Sequence, residues 1–420
     1  MRARLGAEAE AFLAALSQPS RTALRLHPEK GRALFPEAER VVWHPLGRLL
    51  AERPDFEQEP FWHAGAYYVQ EASGMSLRVF VPERRPLRVI DLSAAPGGKA
   101  TLLLGELGWE GGLLIANDPD PRRRTALKEN LARWGIPAYL VTGRHPAWWA
   151  ERFPGLFDVV VLDAPCSGEG LWRKDPRAAC QWHPDLSTRM ARLQRSLLHA
   201  AKALVAPGGV LLYSTCTFAP AENEENILAV IAADPAWEAV LWPGELPSAV
   251  VPTEGPAVGY YFYPHRGPGE GFFVSAWRRR EGALARAKRK VPTGEFPRAG
   301  KVPIPLPEGL IAIERGESLQ GLMEGAAALV PAPLWKEAWE AHPLWEHSRP
   351  AQAAALLSRP LVGFPERALP REAFPAYLAG QPFPAQAPYE RVTIEGASVG
   401  WLYKGRPSLP FTWKRFLRHR

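Results

Sequence analysis

Cysteine is nearly absent from this chain of 420 residues, with three copies at no repeated short spacing. That excludes a disulfide framework and a cysteine-based zinc site, and it fits a reducing, cytoplasmic setting. The histidines also lack metal-like spacing, so no metal is expected. No apolar run reaches the roughly 18 residues that a membrane-spanning helix needs, so no membrane partner is expected. The first twenty residues, MRARLGAEAEAFLAALSQPS, carry Glu8 and Glu10 and have no long apolar core. They predict a surface helix and not a signal peptide.

Acidic charge is in deficit. The formal net charge is +7 and the pI about 9.4. Two readings stay open, a polyanionic partner or ordinary solubility charge. The length predicts two or three domains. Residues 1–80 read as a small α+β extension. In residues 81–280 the apolar runs LRVIDL, GLLIAND, AYLV, FDVVVLD and GVLLYST alternate with helical segments such as RRRTALKENLARWG and LSTRMARLQRSLLHAAKALVAPGG, the latter ending at its Pro-Gly-Gly. That pattern implies a parallel sheet covered on both faces. WEAVLW and GEGFFVSAWRRR read as two final strands with a loop between them. Residues 281–308 form a Pro-rich linker. Seven basic residues at and before its start, Arg278, Arg279, Arg280, Arg286, Lys288, Arg289 and Lys290, stand against Glu281 alone and read either as a basic arm or as a solvated run with no partner. Residues 309–420 show a helical middle and a partly β end, YERVTIEGASVGWLYKGR. The tail KGRPSLPFTWKRFLRHR mixes cations with aromatics, which suits phosphates and bases.

LRVIDLSAAPGGKATLLLGEL reads as strand, loop and helix. A P-loop would need glycine where Ser93 stands and Ser or Thr where Ala100 stands. The dinucleotide pattern G-x-G-x-x-G is absent too. The next strand ends in Asp118, the place of a ribose-binding acid. A loop of small residues (Ser93, Ala94, Ala95, Pro96, Gly97, Gly98), followed by Lys99, points to an adenosine cofactor without a pyrophosphate, S-adenosylmethionine. Asp91 ends the first strand, where it orients the loop or meets the amino-acid end of the cofactor.

FDVVVLDAPCSGEG and GVLLYSTCTFAPAENEEN put Asp163, Cys166 and Cys216 at the carboxyl ends of what would be neighbouring strands. A methyl donor beside a thiol suggests methylation of a carbon that is not nucleophilic by itself, such as cytosine C5. Thiolate addition to C6 activates it. Asp163 could assist if burial kept it protonated next to the base. Cys180, in RAACQWHP, has no such setting and is expected to be structural. Glu222, Asn223 and Glu224 follow Pro220 and are expected to open a helix, where acids favour the dipole, with a part in shaping the cytosine pocket as the alternative.

DAPCSGEG, STCTFAPAENEEN, DLSAAPGGKA and HAGAYYVQEASGM, occurring together between residues 20 and 280, resemble the RNA (cytosine-5) methyltransferase family, the Nol1/Nop2/Sun group, in its bacterial 16S ribosomal RNA branch. The resemblance implies a class I methyltransferase: a Rossmann-like, mostly parallel seven-stranded sheet with a PUA-like C-terminal module. It also implies 5-methylcytosine formation in 16S ribosomal RNA or the small subunit, by a monomer. It makes Cys216 the nucleophile and Cys166 the residue for product release. Asp163 would touch the base, with Lys99 near base and donor. Ser93 to Lys99, Asp118 and Asp163 would hold S-adenosylmethionine. The sequence departs from the family at Thr142, where an acid usually meets the adenine. A transfer RNA methyltransferase and an inactive RNA-binding assembly factor remain as alternatives.

Overall fold

The computed structural model describes residues 2–173, 176–281, 298–300, 302, 305–315, 317–346, 349–361 and 363–408. The basic positions Arg286, Lys288, Arg289 and Lys290, and the tail from residue 409, lie outside these residues.

Near the N-terminus, β1 (Ala23–Leu26), β2 (Glu39–Arg40), β3 (Gly47–Leu49) and β4 (Tyr67–Val69) form an antiparallel sheet in the order β2-β3-β1-β4. The expected surface helix is broken into Arg2–Leu5, a 3-10 turn and Ala9–Leu16. It is anchored by Phe12, which is fully buried edge-on to Phe218 and Tyr263.

The central sheet is built from β5 (Leu87–Asp91), β6 (Gly112–Asn117), β7 (Tyr139–Thr142), β8 (Phe157–Asp163), β9 (Val205–Thr215), β10 (Trp237–Ala239), β11 (Val250–Pro252), β12 (Tyr260–Phe262) and β13 (Phe272–Arg279). Its order is β11-β12-β13-β9-β8-β5-β6-β7, with β10 paired to β13. The five strands from β9 to β7 are parallel, and β13 runs against β9. This is the methyltransferase arrangement, with β10 and β11 as short additions at the antiparallel side. Val89, Ile90, Leu114 and Val159 to Val161 are at most 1% exposed, because helices cover both faces. The helix Pro121–Trp134 starts on an Asp120 cap and stops at Gly135, whose φ of +80° suits glycine. The helix Pro184–Leu204 ends before the Pro-Gly-Gly expected to stop it; those residues enter β9.

Chain order reverses between β5 and β8. The crevice beyond their carboxyl ends is therefore the place for a ligand.

The C-terminal part is more β than its sequence suggested. β14 (Leu310–Arg315), β15 (Ser318–Met323), β16 (His342–Glu346) and β17 (Arg349–Pro350) make one sheet. β18 (Glu366–Leu369), β19 (Tyr389–Ile394), β20 (Ala397–Tyr403) and β21 (Arg406–Ser408) make another. The expected helical middle is reduced to short turns such as Glu324–Ala327 and Gln352–Ala355. This part covers the β7 edge through reciprocal backbone bonds between Val141 and Glu340, of 2.7 and 3.0 Å. Lys30 ties the three regions together. Its Nζ donates to the carbonyls of Ala64 (2.7 Å), Arg133 (2.9 Å) and Leu356 (3.1 Å).

Candidate functional site

β8 and β9 are parallel and in register, with Asp163 opposite Ser214. The turns that follow them therefore leave the sheet side by side. Cys166 and Cys216, both half-buried, bring their sulfurs to 2.9 Å, and neither is in a disulfide. The Cys216 N–H also donates to the Cys166 sulfur at 3.3 Å. The thiol-thiol hydrogen bond, with burial added, pushes the Cys166 thiol well above its ordinary range. Gly170 packs where the two turns and the β13 entry meet; a Cβ there would stand 2.5 Å from the Gly271 carbonyl oxygen.

Lys99, in the first turn of the helix Gly98–Leu107, places Nζ 2.7 Å from Asp163 Oδ2 and 5.1 Å from the centre of the Phe272 ring. Burial works against the ammonium, but the charge and hydrogen bond of Asp163 outweigh it, so the Lys99 pKa is raised. The Cys216 sulfur also lies within electrostatic reach of this ammonium. Asp163 Oδ1 accepts from the Ser214 hydroxyl at 2.7 Å. A third of the Asp163 side chain is exposed, and the Lys99 ammonium stands against it. Asp91, at the end of β5, is a buried carboxyl. It is fully enclosed, and burial pushes its pKa up to about 7 even though it accepts the Ser93 N–H.

The loop Ser93–Gly97 is held by its neighbours. Ala94 N–H donates to the Asn117 carbonyl, and Ala95 N–H to Asp118 Oδ2 at 3.2 Å. Arg123 and Asn130 donate to the carbonyls of Ala95 and Pro96. Gly97 turns the chain into the helix with φ +122°, a conformation that glycine alone adopts without strain. Asp118 is 1% exposed and also accepts the Asp120 N–H at 3.0 Å. Thr142 offers no free hydroxyl proton; it donates to Asn117 Oδ1 at 3.0 Å. Cys180 is exposed and fills no core, contrary to the structural role expected of it. Arg278 and Arg280 do not form a free arm. They face Glu238 at 4.0 and 3.4 Å, while Arg279 donates to the Val205 carbonyl.

A family model described as 16S rRNA methyltransferase RsmB/F matches residues 80–278. A second, for the N-terminal domain of 16S rRNA methyltransferase RsmF, matches residues 1–72. The chain belongs to the RsmB/F family. A Serratia proteamaculans protein named ribosomal RNA small subunit methyltransferase F is 35% identical over 243 residues, 56% of this chain and 49% of that one. The Escherichia coli protein of the same name is 34% identical over 309 residues, 68% of this chain and 63% of that one. The chain thus matches between half and 63% of the length of these relatives. A solved methyltransferase homologue from Pyrococcus horikoshii is 26% identical, covering 65% of this chain and 91% of that one at a TM-score of 0.55.

In this RsmB/F chain, three buried residues stand behind the thiols; Glu169 was missed in the sequence, and Glu222 and Asn223 were read chiefly as helix-opening residues. Glu222 was expected at a helix start and is wholly buried. Its Oε2 accepts from the Ser167 N–H (3.0 Å) and the Gln194 amide (2.8 Å). Asn223 bonds the Thr215 hydroxyl, the Thr217 carbonyl and the Tyr261 hydroxyl. Glu169 Oε2 accepts the Phe218 N–H at 2.7 Å and the Thr217 hydroxyl at 3.0 Å. The helix Glu224–Ile227 starts after Asn223 at its cap position, and Glu222 closes the 3-10 turn Pro220–Glu222 before it. The hint was the PAENEEN run itself, too polar for an ordinary strand-to-helix turn.

Proposed function

We propose that this chain methylates C5 of a cytosine in 16S ribosomal RNA, with S-adenosylmethionine as donor. The observation that carries the reading is the pair of thiols 2.9 Å apart beside the Lys99–Asp163 ion pair. The family and the names of the relatives support the substrate class.

The residues around the loop fit the donor. Asp91 Oδ2 and Ser93 Oγ are buried with no hydrogen-bond partner, which suits a ligand with a cationic amino group. Asp118 accepts one backbone N–H on each oxygen and faces Arg123 Nη1 at 3.4 Å through Oδ2, which leaves further lone pairs for ribose hydroxyls. Ser93, Ala94, Ala95, Pro96, Gly97, Gly98 and Lys99 would line the donor, and Asp163 would border both donor and base. When bound, the donor supplies the electrophilic methyl group that C5 takes.

Cys216 adds as a thiolate to C6, and the ring electrons shift toward C5 and N3. Lys99 favours that thiolate and the negative charge building on the ring. Asp163, oriented by Lys99 and Ser214, accepts from the exocyclic amino group. After methylation the C5 proton leaves, the C5–C6 double bond re-forms and Cys216 departs as a thiolate. Cys166 gives its proton to the departing Cys216 sulfur and takes up the proton that leaves C5, so both thiols end the cycle as they began it. The base must be unpaired or flipped to reach a half-buried thiol.

Incubation with radiolabelled donor and either unmodified 16S ribosomal RNA or transfer RNA tests the reading. Label in 16S RNA, mapped to 5-methylcytosine, is expected. Label in transfer RNA alone overturns the substrate, and no label in either overturns the activity.

A further inference from the structure

A cavity of about 440 Å³ opens where the C-terminal part meets the β7 edge. Thr142, Gly143 and Arg144 line it from the end of β7, and Ser318 and Gln320 from β15. It lies at the carboxyl end of a strand parallel to β8 and β9, hence on the same side of the sheet as the thiols. Three to four strand spacings separate it from them, about 15–20 Å.

Four cations line the cavity: Arg124, Lys128, Arg144 and Arg315. Two are neutralised. Arg144 pairs with Glu337, and Lys128 Nζ lies 2.5 Å from Glu340 Oε1. The other two have no carboxylate within ion-pair distance among the described residues. Arg124 is held by the carbonyls of Asp118 (2.7 Å) and Pro119 (3.0 Å), both through one nitrogen. The Arg315 guanidinium lies 4.2 Å from the centre of the Trp339 ring and donates to the Trp339 carbonyl at 3.3 Å. Both are fixed in place with donors to spare, as a phosphate site requires.

We propose that this cavity binds a backbone phosphate of the substrate RNA, flanking the target nucleotide; the inference rests on the RNA-modifying reading above. Two uncompensated guanidinium groups match a phosphodiester. A base is a poorer occupant, because Trp339 is 3% exposed and one face is covered by Arg315, leaving no stacking platform. The contact is sequence-blind and sets register. The methyltransferase sheet and the C-terminal part each supply one of the free arginines, so neither forms the site alone.

The test uses the full chain and a 16S RNA fragment, with affinity measured at several salt concentrations. The variants are Arg315→Gln, Arg315→Lys and the pair Arg124→Gln with Arg315→Gln. Losing the one phosphate contact in the pair variant should flatten the salt slope by about 0.7 to 0.9 and weaken binding by about tenfold or more. Arg315→Lys, which keeps the charge, should recover most of the slope. Melting temperatures identify any variant that is merely misfolded, and Arg315→Glu then serves as the second reading of the same slope. Unchanged slope and affinity in a folded pair variant overturn the site. Methyl transfer is assayed on the same preparations. Binding that depends on both arginines without methyl transfer keeps the site and removes the catalytic reading. Full transfer with unchanged binding does the reverse.

Discussion

Glu222 accepts the backbone N–H of Ser167 at 3.0 Å, a bond between the turn that carries Cys166 and the turn that follows Cys216. The same oxygen accepts from Gln194, so this buried carboxylate fixes the spacing of the two thiols. Glu222→Ala would leave two buried donors unsatisfied. It should cost about 3 kcal/mol of stability. Methyl transfer should slow while donor affinity holds, because Asp91 and Asp118 are untouched. Glu222→Gln, which keeps an acceptor oxygen, should lose less of both. Denaturant melts and single-turnover assays check this; an alanine variant as stable and fast as the parent would sink it.

Asp91 should make donor binding depend on pH. Its pKa in the folded chain is about 7, above the ordinary carboxyl value of 3.8. The folded state therefore holds the proton more tightly than the unfolded chain. The stability linked to Asp91 is present in full below pH 4 and lost as pH rises to about 7. Relative to Asp91→Asn, the ligand-free protein should melt progressively lower across that window. If the ionised carboxylate meets the donor's amino group, affinity should fall up to about tenfold per unit below pH 7. Calorimetry across pH checks this, and Asp91→Asn should flatten the profile.

Asp118→Ala should weaken donor binding by about 1.5 to 3 kcal/mol, the loss expected for hydrogen bonds to a charged group. RNA affinity should hardly change. Unchanged donor affinity by calorimetry would remove Asp118 from the cofactor site.

The sequence made the strand ends legible because parallel strands buried on both faces read as unbroken apolar runs. FDVVVLD and GVLLYST could thus be aligned, and with them Asp163, Cys166 and Cys216. β12 could not be read, because three residues among Pro and Gly carry no period. The hairpin of β14 and β15 was hidden too, since short apolar runs suit either helix or strand. Site electrostatics were harder still. Which carboxyl is enclosed depends on contacts distant in sequence: Lys99 reaches Asp163, while Asp91 stays enclosed at the switch point. Glu222 is buried by packing against the helix Pro184–Leu204 and the Cys166 turn, which no local pattern announces.

The two thiols should separate by the step at which each variant stops. Cys216→Ala should abolish methylation and form no covalent RNA adduct. Cys166→Ala should still attack and accept the methyl, then stall with the enzyme bonded to methylated RNA, seen as a slow band on a denaturing gel. The asymmetry follows from order, since a residue needed only after methyl transfer cannot prevent the earlier bond. It also follows from proton affinity. The hydrogen bond with Cys216, with burial added, pushes the Cys166 thiol up, so little of it is thiolate and it is a poor nucleophile. Removing Cys166 also removes the thiol 2.9 Å from Cys216, so the first attack should change in rate but not disappear. An adduct that accumulates with Cys216→Ala and is missing with Cys166→Ala would exchange the two roles.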